Sequence, residues 1–257
     1  MKSIIIIIFL SFACFSQNTI RVIYQQDNFY ADSFFQSLPV DQNERDEIKK
    51  DMTKPSYLEL VNNGEFSLLR TIDKPQQNNL GKKATYLDNN ISGGLKLLNE
   101  WIFKNFTEKY NLSLREIITD KYIIKQPFEK DSKYTFSNKI KKIDKYNCKL
   151  AYVLSKRNTN DTIKFWYTDE IPIIDGPFDS SIIPGLILSY ETKVRNIYAI
   201  QIEFIEEKIE IKNKYIDIPI LSEARFQEIS SESEKPKEYI DEKGRNAKTS
   251  EKIFKPE

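Results

Sequence analysis

Histidine is absent from all 257 residues of the chain. It is the only side chain whose ordinary pKa lies near neutral pH. Its absence excludes Ser-His-Asp and Cys-His nucleophiles, and it excludes every histidine-based metal site. The sequence also contains no zinc-ligand spacing, phosphate-binding loop or dinucleotide fingerprint. We therefore predict no catalytic residue, no metal ligand and no cofactor, and expect a protein that is not an enzyme.

Cysteine is scarce, with two in the chain, and glycine occurs only seven times. Cys14 lies in an apolar run at the N-terminus, so removal of that run leaves Cys148 without a partner for an intramolecular disulfide. Tyr146 and Leu150 share a strand face with Cys148, since alternate residues of a strand point the same way. We predict that Cys148 is a small buried apolar side chain.

Neither sign of charge is in excess, because 39 Lys and Arg face 38 Asp and Glu. Such a balance gives no basic field for nucleic acid. No apolar run is long enough for a transmembrane helix. We expect a chain that binds no nucleic acid and does not span a membrane.

Residues 1–17 resemble a secretory signal peptide. Lys2 precedes an apolar run from Ile4 to Phe15, which matches the length of a signal-peptide core. We expect cleavage after Ser16 or Gln17 and a location in the periplasm or at the outer membrane. A lipid anchor at Cys14 is the alternative, although the residues before it match a lipoprotein signal only loosely.

Residues 18–230 are interpreted as one β-rich domain. The residues 57–70 alternate around Asn63-Gly64, a dipeptide typical of type I′ hairpin turns. Further strands are predicted at 19–25, 100–109, 111–118, 120–127, 133–143, 147–156, 161–168, 185–192 and 196–212, the last with a bulge near Glu206-Glu207.

Short helices are expected at 39–52, with Asp41 as N-cap candidate, and at 222–229. Residues 71–98 read as a long loop, and 231–257 as a disordered charged tail. The predicted fold is mainly β: a single antiparallel, strongly curved sheet or half-open barrel with one or two short helices.

One strand-to-strand crossover carries two glycine–proline pairs, Gly176-Pro177 and Pro184-Gly185. The strand before it alternates, with Ile163, Phe165 and Tyr167 on one face and Lys164, Trp166 and Thr168 on the other. Each proline fixes φ, and each glycine permits backbone conformations that other residues resist. The pattern predicts a rigid corner between two strands.

The same region resembles the GLPGLI family of exported Bacteroidota proteins. The matching elements, in order, are Tyr146 and Cys148, Trp166-Tyr167-Thr168, Ile171-Pro172, Gly176-Pro177 and Ile182 to Ile187. Ile182 and Ile183 stand where the family has Gly and Leu, and Tyr134 stands where it often has Trp. The resemblance implies an envelope location and a β fold, and it implies no reaction.

The crossover also supplies the candidate binding residues, because loops on rigid scaffolds often carry binding. They are Trp166, Tyr167, Asp169, Gly176, Pro177, Pro184, Gly185 and Leu186. The alternative is that the crossover only closes one end of the sheet. Asp169, Glu170 and Asp175 are expected to be solvated carboxylates rather than an acid–base pair or a calcium site.

Three hypotheses of function follow. The first is a non-catalytic binding module that holds an apolar small molecule, lipid or peptide in the concavity of the sheet. The second is an interaction protein that docks on an outer-membrane partner through an exposed apolar patch. The third is a hydrolase of unfamiliar type.

Overall fold

The protein is described by a computed structural model covering residues 19–75, 100–117, 119–128, 134–155, 161–178, 183–233, 238–240 and 246–248. The predicted signal peptide, most of the predicted 71–98 loop and Ile182 lie outside these ranges. Among the described residues, no helix combines the length and apolar character needed to cross a bilayer.

Twelve strands form one large sheet. In chain order they are β1 (Thr19–Asn28), β2 (Ser56–Asn62), β3 (Phe66–Ile72), β4 (Trp101–Asn105), β5 (Tyr110–Ile117), β6 (Asp120–Pro127), β7 (Thr135–Ile143), β8 (Tyr146–Leu154), β9 (Thr162–Thr168), β10 (Leu186–Glu191), β11 (Arg195–Ile205) and β12 (Ile220–Leu221). The helices are α1 (Asp32–Gln36), α2 (Gln42–Met52) and α3 (Glu223–Ser233). A separate hairpin, β13 (Glu238–Ile240) and β14 (Asn246–Lys248), lies within the stretch predicted to be a disordered tail.

The spatial order of the sheet is β12-β6-β5-β4-β3-β2-β1-β11-β10-β9-β8-β7. Neighbours are antiparallel except β12 and β6, which are parallel. The prediction of a mainly β fold built on a single sheet is confirmed. The sheet is open rather than closed into a barrel, and its one parallel pair makes it mixed.

The sheet curves around the crossover between β9 and β10. Ile187 on β10 donates its backbone N–H to the Asp175 carbonyl oxygen at 2.9 Å, which ties the crossover to that strand. The carboxylate of Asp175 meets Lys104 on β4 at 2.8 Å. Four strands separate β4 from β10, a span of about 24 Å in a flat sheet at ~4.8 Å per strand. Curvature brings these strands within reach of one loop residue.

The predicted helix at 39–52 and its cap are confirmed, since Asp41 accepts a 2.9 Å hydrogen bond from the Glu44 backbone N–H. The β2–β3 hairpin is confirmed, but the predicted type I′ turn is wrong. Gly64 has φ +86, whereas neither Asn63 nor Glu65 has positive φ. A type I′ turn needs positive φ at both central residues, so the hairpin closes through another turn.

The predicted strand over 196–212 is wrong for residues 206–212. β11 ends at Ile205, and its irregularity lies opposite Ile23 and Tyr24 rather than at Glu206-Glu207. Ile211 beyond that end packs with Trp101 and Phe103. The alternation of residues 206–212 therefore arises from a segment that covers the sheet instead of extending it.

Apolar side chains are buried on both faces of the sheet. On one face, residues of β1 to β4 pack with those of β8 and β10 and with Ile171 of the crossover. On the other face, one cluster joins β4 to β6 with Ile211, and a second joins β8 to β10 with Ile183. Because both faces are covered, the crossover and the segment after β11 are parts of the core.

Candidate functional site

Gly176 and Gly185 of the crossover lie so close to neighbouring atoms that a larger side chain would clash. A Cβ on Gly185 would lie 2.2 Å from the backbone oxygen of Thr168, and one on Gly176 would lie 2.6 Å from Cβ of Ile187. Pro177 is buried beside Gly176, and Leu186 is wholly buried. These four predicted site residues lie inside the core.

Trp166 and Tyr167 lie on opposite faces of β9, as the alternation predicts. Tyr167 is buried, and burial raises its pKa. Trp166 is half-buried, with the Lys141 ammonium 5.4 Å from its ring centroid. Its indole N–H is buried without a hydrogen-bond partner in the described part of the chain.

Asp169 and Pro184 are the exposed members of the predicted set. Asp169 forms a 2.5 Å ion pair with Lys149, and both side chains are about half exposed. The hydrogen bond from Lys149 lowers the pKa of the Asp169 carboxyl. The structure therefore does not bring the eight predicted residues to one surface, because the core separates the exposed ones from the rest.

Asp175 is not solvated, contrary to expectation; its side chain is fully buried. Its Oδ1 accepts hydrogen bonds from Lys104 Nζ at 2.8 Å and from the Gly176 backbone N–H at 2.8 Å. Its Oδ2 accepts one from Asn62 Nδ2 at 2.7 Å. Lys104 also donates to the Gly176 carbonyl at 2.9 Å. A buried carboxylate thus meets a buried ammonium and an amide.

Tyr24 extends this polar cluster. Its hydroxyl donates to the Ile187 carbonyl oxygen at 2.7 Å within the core. Burial and then the charge of Asp175 hold the pKa of Tyr24 well above its ordinary value. Sequence reasoning missed Lys104 and Asn62. The available signal was a lysine within the apolar strand sequence WIFKN, in alternation with Ile102.

The other two carboxylates of the crossover have separate environments. Glu170 accepts hydrogen bonds from the backbone N–H and side-chain amide of Asn147, each at 3.0 Å. Asp169 pairs with Lys149. Within the described residues, no group of three or more Asp, Glu or Cys could hold a metal ion.

A second buried carboxylate lies on the opposite face of β2. Glu59 is 2% exposed and accepts hydrogen bonds from Arg21 Nε at 2.7 Å and Arg70 Nε at 2.7 Å. Arg21 also pairs with Glu203 at 3.2 Å. Both arginine side chains keep a fifth of their surface in water, so this cluster lies near the edge of the core.

A cleft of about 650 Å³ opens between the β2–β3 turn and the segment after β11. Phe66 and Phe103 stack at its base with ring centroids 5.5 Å apart. Its rim carries a 3.2 Å ion pair between Lys208 and Glu65. The lining consists of Asn63, Glu65, Phe66, Phe103, Lys208, Ile209, Glu210, Ile211, Lys212 and Asn213. None of the residues that line the cleft belongs to the binding residues predicted from the sequence.

Cys148 is wholly buried, which confirms the prediction. Burial raises the pKa of its thiol to about 11. A thiol needs a lowered pKa to be a good nucleophile at neutral pH. Cys148 is therefore a packing residue.

No protein-family model and no curated protein matches the sequence. Solved structures of PNGF-II in the P21 and C2 space groups do match, with TM-scores of 0.54 and 0.53 and 14% sequence identity in both cases. The alignments cover 86% of this chain and 35% and 34% of the PNGF-II chains. The chain thus spans about a third of the length of those proteins. At this identity the likeness concerns the fold alone.

Proposed function

We propose that the chain is a non-catalytic binding module of the cell envelope that holds an apolar ligand in the cleft over Phe66 and Phe103. The observation that supports this is the size of the cleft, about 650 Å³, which lies in the ordinary range for small-ligand sites. Stacked aromatic rings at the base supply apolar contact, while the charged rim keeps the opening wet.

The cleft suits such a ligand better than the face beneath the crossover. On that face, Ile171, Ile173 and Phe178 of the crossover already pack against the sheet. The cleft instead presents a half-buried ring, Phe66, that a ligand can cover further. An apolar small molecule or one apolar peptide side chain fits these dimensions.

Binding of anilinonaphthalene sulfonate tests the proposal. We expect the native chain to enhance dye fluorescence and Phe66→Asp to abolish the enhancement, because a charge at the base disfavours an apolar ligand. Phe204→Asp is the matched control, since Phe204 is exposed on β11 outside the cleft. Equal fluorescence of all three folded proteins would contradict the proposal. Native mass spectrometry of the purified protein then identifies a retained small molecule.

Export and the resemblance to the GLPGLI family remain part of this proposal. The signal-like segment at 1–17 supports export. An intact mass of the mature protein beginning at Gln17 or Asn18 is the expected result. A mass beginning at a lipid-modified Cys14 would instead indicate an anchored form.

A second candidate function is docking on an outer-membrane partner through β7. This strand ends the sheet, and it exposes Phe136 at 51% and Ile140 at 68%. A photo-crosslinking residue at position 136 should capture one specific envelope protein. The same residue at Ile216, which is 79% exposed elsewhere, is the control. Equal labelling from both positions would count against docking.

A further inference from the structure

Three polar side chains lie in one row across β2, β3 and β4. Asn62 is paired with Ser67, and Ser67 with Lys104. Asn62 and Lys104 are therefore two strands apart, about 10 Å between backbones at ~4.8 Å per strand. They point to the same face, and the stem of a lysine spans most of that distance. The strand register therefore directs the Lys104 amine toward the side-chain amide of Asn62.

The carboxyl group of Asp175 holds these two groups together. Lys104 Nζ lies 2.8 Å from its Oδ1, and Asn62 Nδ2 lies 2.7 Å from its Oδ2. The Gly176 backbone N–H fixes the same carboxyl group at 2.8 Å. Asn62, Lys104 and Asp175 are all less than a twentieth exposed. Amine, amide and proton carrier are enclosed in one site.

We propose that Lys104 and Asn62 form an intramolecular isopeptide bond, with Asp175 carrying the protons. Asp175 first takes a proton from the Lys104 ammonium through Oδ1. The free amine then attacks Cγ of Asn62, and a C–N bond forms. Asp175 donates a proton to Nδ2 of Asn62, the C–Nδ2 bond breaks and ammonia leaves. The second Lys104 proton departs with it as ammonium, so Asp175 is restored and no oxidant or other reactant is needed.

The surroundings favour each step. The Lys104 amine and the Asp175 carboxyl group are both almost wholly buried and 2.8 Å apart, so a proton can pass directly from Nζ to Oδ1. The Gly64 backbone N–H donates to Asn62 Oδ1 at 2.7 Å, where negative charge develops during attack. Two groups held on one carboxyl react as if at very high concentration. Burial also keeps water from hydrolysing the product.

Tryptic mapping of the full-length protein tests the bond. Trypsin does not cut after an acylated lysine, so Lys104 becomes a missed cleavage. We expect residues 51–70 and 97–109 to elute as one linked species, lighter than the two peptides by one ammonia. Recovery of residues 51–70 and 97–104 as separate peptides would overturn the proposal.

Other losses of ammonia are distinguished by the same map. Succinimide formation at Asn63-Gly64 or cyclisation of an N-terminal Gln17 leaves the two peptides unlinked, and either result alone would overturn the proposal. A Lys104 link to Asp175 with loss of water would overturn the role of Asn62.

Variants separate the partners. Lys104→Arg keeps the cation but removes the nucleophilic amine, and Asp175→Ala removes the proton carrier; both should yield unlinked peptides. Ser67→Ala lies in the same row but takes no part in the chemistry, so its link should remain. The peptide map of the unaltered protein decides the question even where a variant fails to fold.

Discussion

Tyr24 on β1 donates its hydroxyl to the Ile187 carbonyl oxygen on β10, although β11 lies between these strands. β10 pairs with β11 only through residues 189 to 191. The two strands therefore separate before Ile187, and Tyr24 bonds a carbonyl that β11 does not reach. One phenolic hydroxyl thus joins the two halves of the sheet where their ladder ends.

Replacement of Tyr24 should weaken the fold. Tyr24→Phe removes the hydroxyl and leaves the Ile187 carbonyl without its buried donor, at a cost of about 1–3 kcal/mol in the free energy of unfolding. Urea denaturation followed by circular dichroism measures the change. Tyr198→Phe is the control, because Tyr198 is only partly buried and water can replace its hydrogen bond with Asp27. An equal loss in both variants would contradict the role assigned to Tyr24.

Replacement of Gly185 by alanine should be strongly destabilising. The new Cβ would lie 2.2 Å from the Thr168 oxygen, which belongs to the backbone and cannot rotate away. We expect a loss of about 2 kcal/mol or more, as for an overpacked core. Gly64→Asn should cost little, since no atom lies within 4 Å of its Cβ and asparagine tolerates positive φ. Thermal denaturation compares them; similar melting temperatures would refute the steric explanation.

The Glu59 cluster should respond unequally to removal of its arginines and to removal of the Glu59 charge. Loss of both arginines, in Arg21→Met with Arg70→Met, leaves a nearly buried carboxylate without cations and should cost about 3–5 kcal/mol. Glu59→Gln should cost less, because each guanidinium keeps contact with water. Chemical denaturation of both proteins gives the comparison. A larger loss in Glu59→Gln would contradict this expectation, because it would mean that the unpaired guanidinium groups cost more than the unpaired carboxylate.

Cys148 should resist thiol reagents in the folded protein. Its side chain is wholly buried and its thiol has a pKa near 11. We expect slow reaction with a disulfide reagent at pH 8 and rapid reaction in denaturant, measured in a Cys14→Ser background so that Cys148 is the one thiol present. The control joins Cys148→Ser to Asn147→Cys, which places the thiol on the exposed neighbour. Equally slow reaction of the control would contradict burial as the cause.

The same thiol makes stability fall at high pH. The pKa of Cys148 is higher in the folded protein, about 11, than its ordinary value of 9.0. The unfolded chain therefore loses this proton first as pH rises, and ionisation favours unfolding. Cys148→Ser should reduce the loss of stability between pH 9 and pH 11. Identical pH profiles would show that other groups dominate there.

The sequence indicated the strands because their local alternation survives in the structure. Ile163, Phe165 and Tyr167 lie together in one cluster, and Cys148 is buried where its strand phase places it. The strand prediction failed for residues 206–212 because Ile209 and Ile211 alternate with polar residues as in a strand. Local alternation cannot show whether a segment pairs with a strand at the side or packs over the face of the sheet.

The buried cluster could not be predicted for a different reason. Lys104 and Asp175 are 71 residues apart, so a lysine in an apolar strand does not indicate which carboxylate it meets. Their proximity depends on curvature of the whole sheet and on the path of the crossover. The cleft similarly depends on where the chain turns after Ile205. Such sites arise from tertiary structure, and periodicity carries no information about them.

The position of β1 has a consequence for the order of folding. β1 lies between β2 and β11, and the hydroxyl of Thr19 binds the carbonyl of Glu207, 188 residues along the chain. Contacts between distant residues close large loops and slow folding. A nascent chain can form the β2 to β6 meander early, but its first strand keeps one edge unpaired until residues 195–205 have emerged. The large sheet is therefore complete only after β11 has been synthesised and has paired with β1.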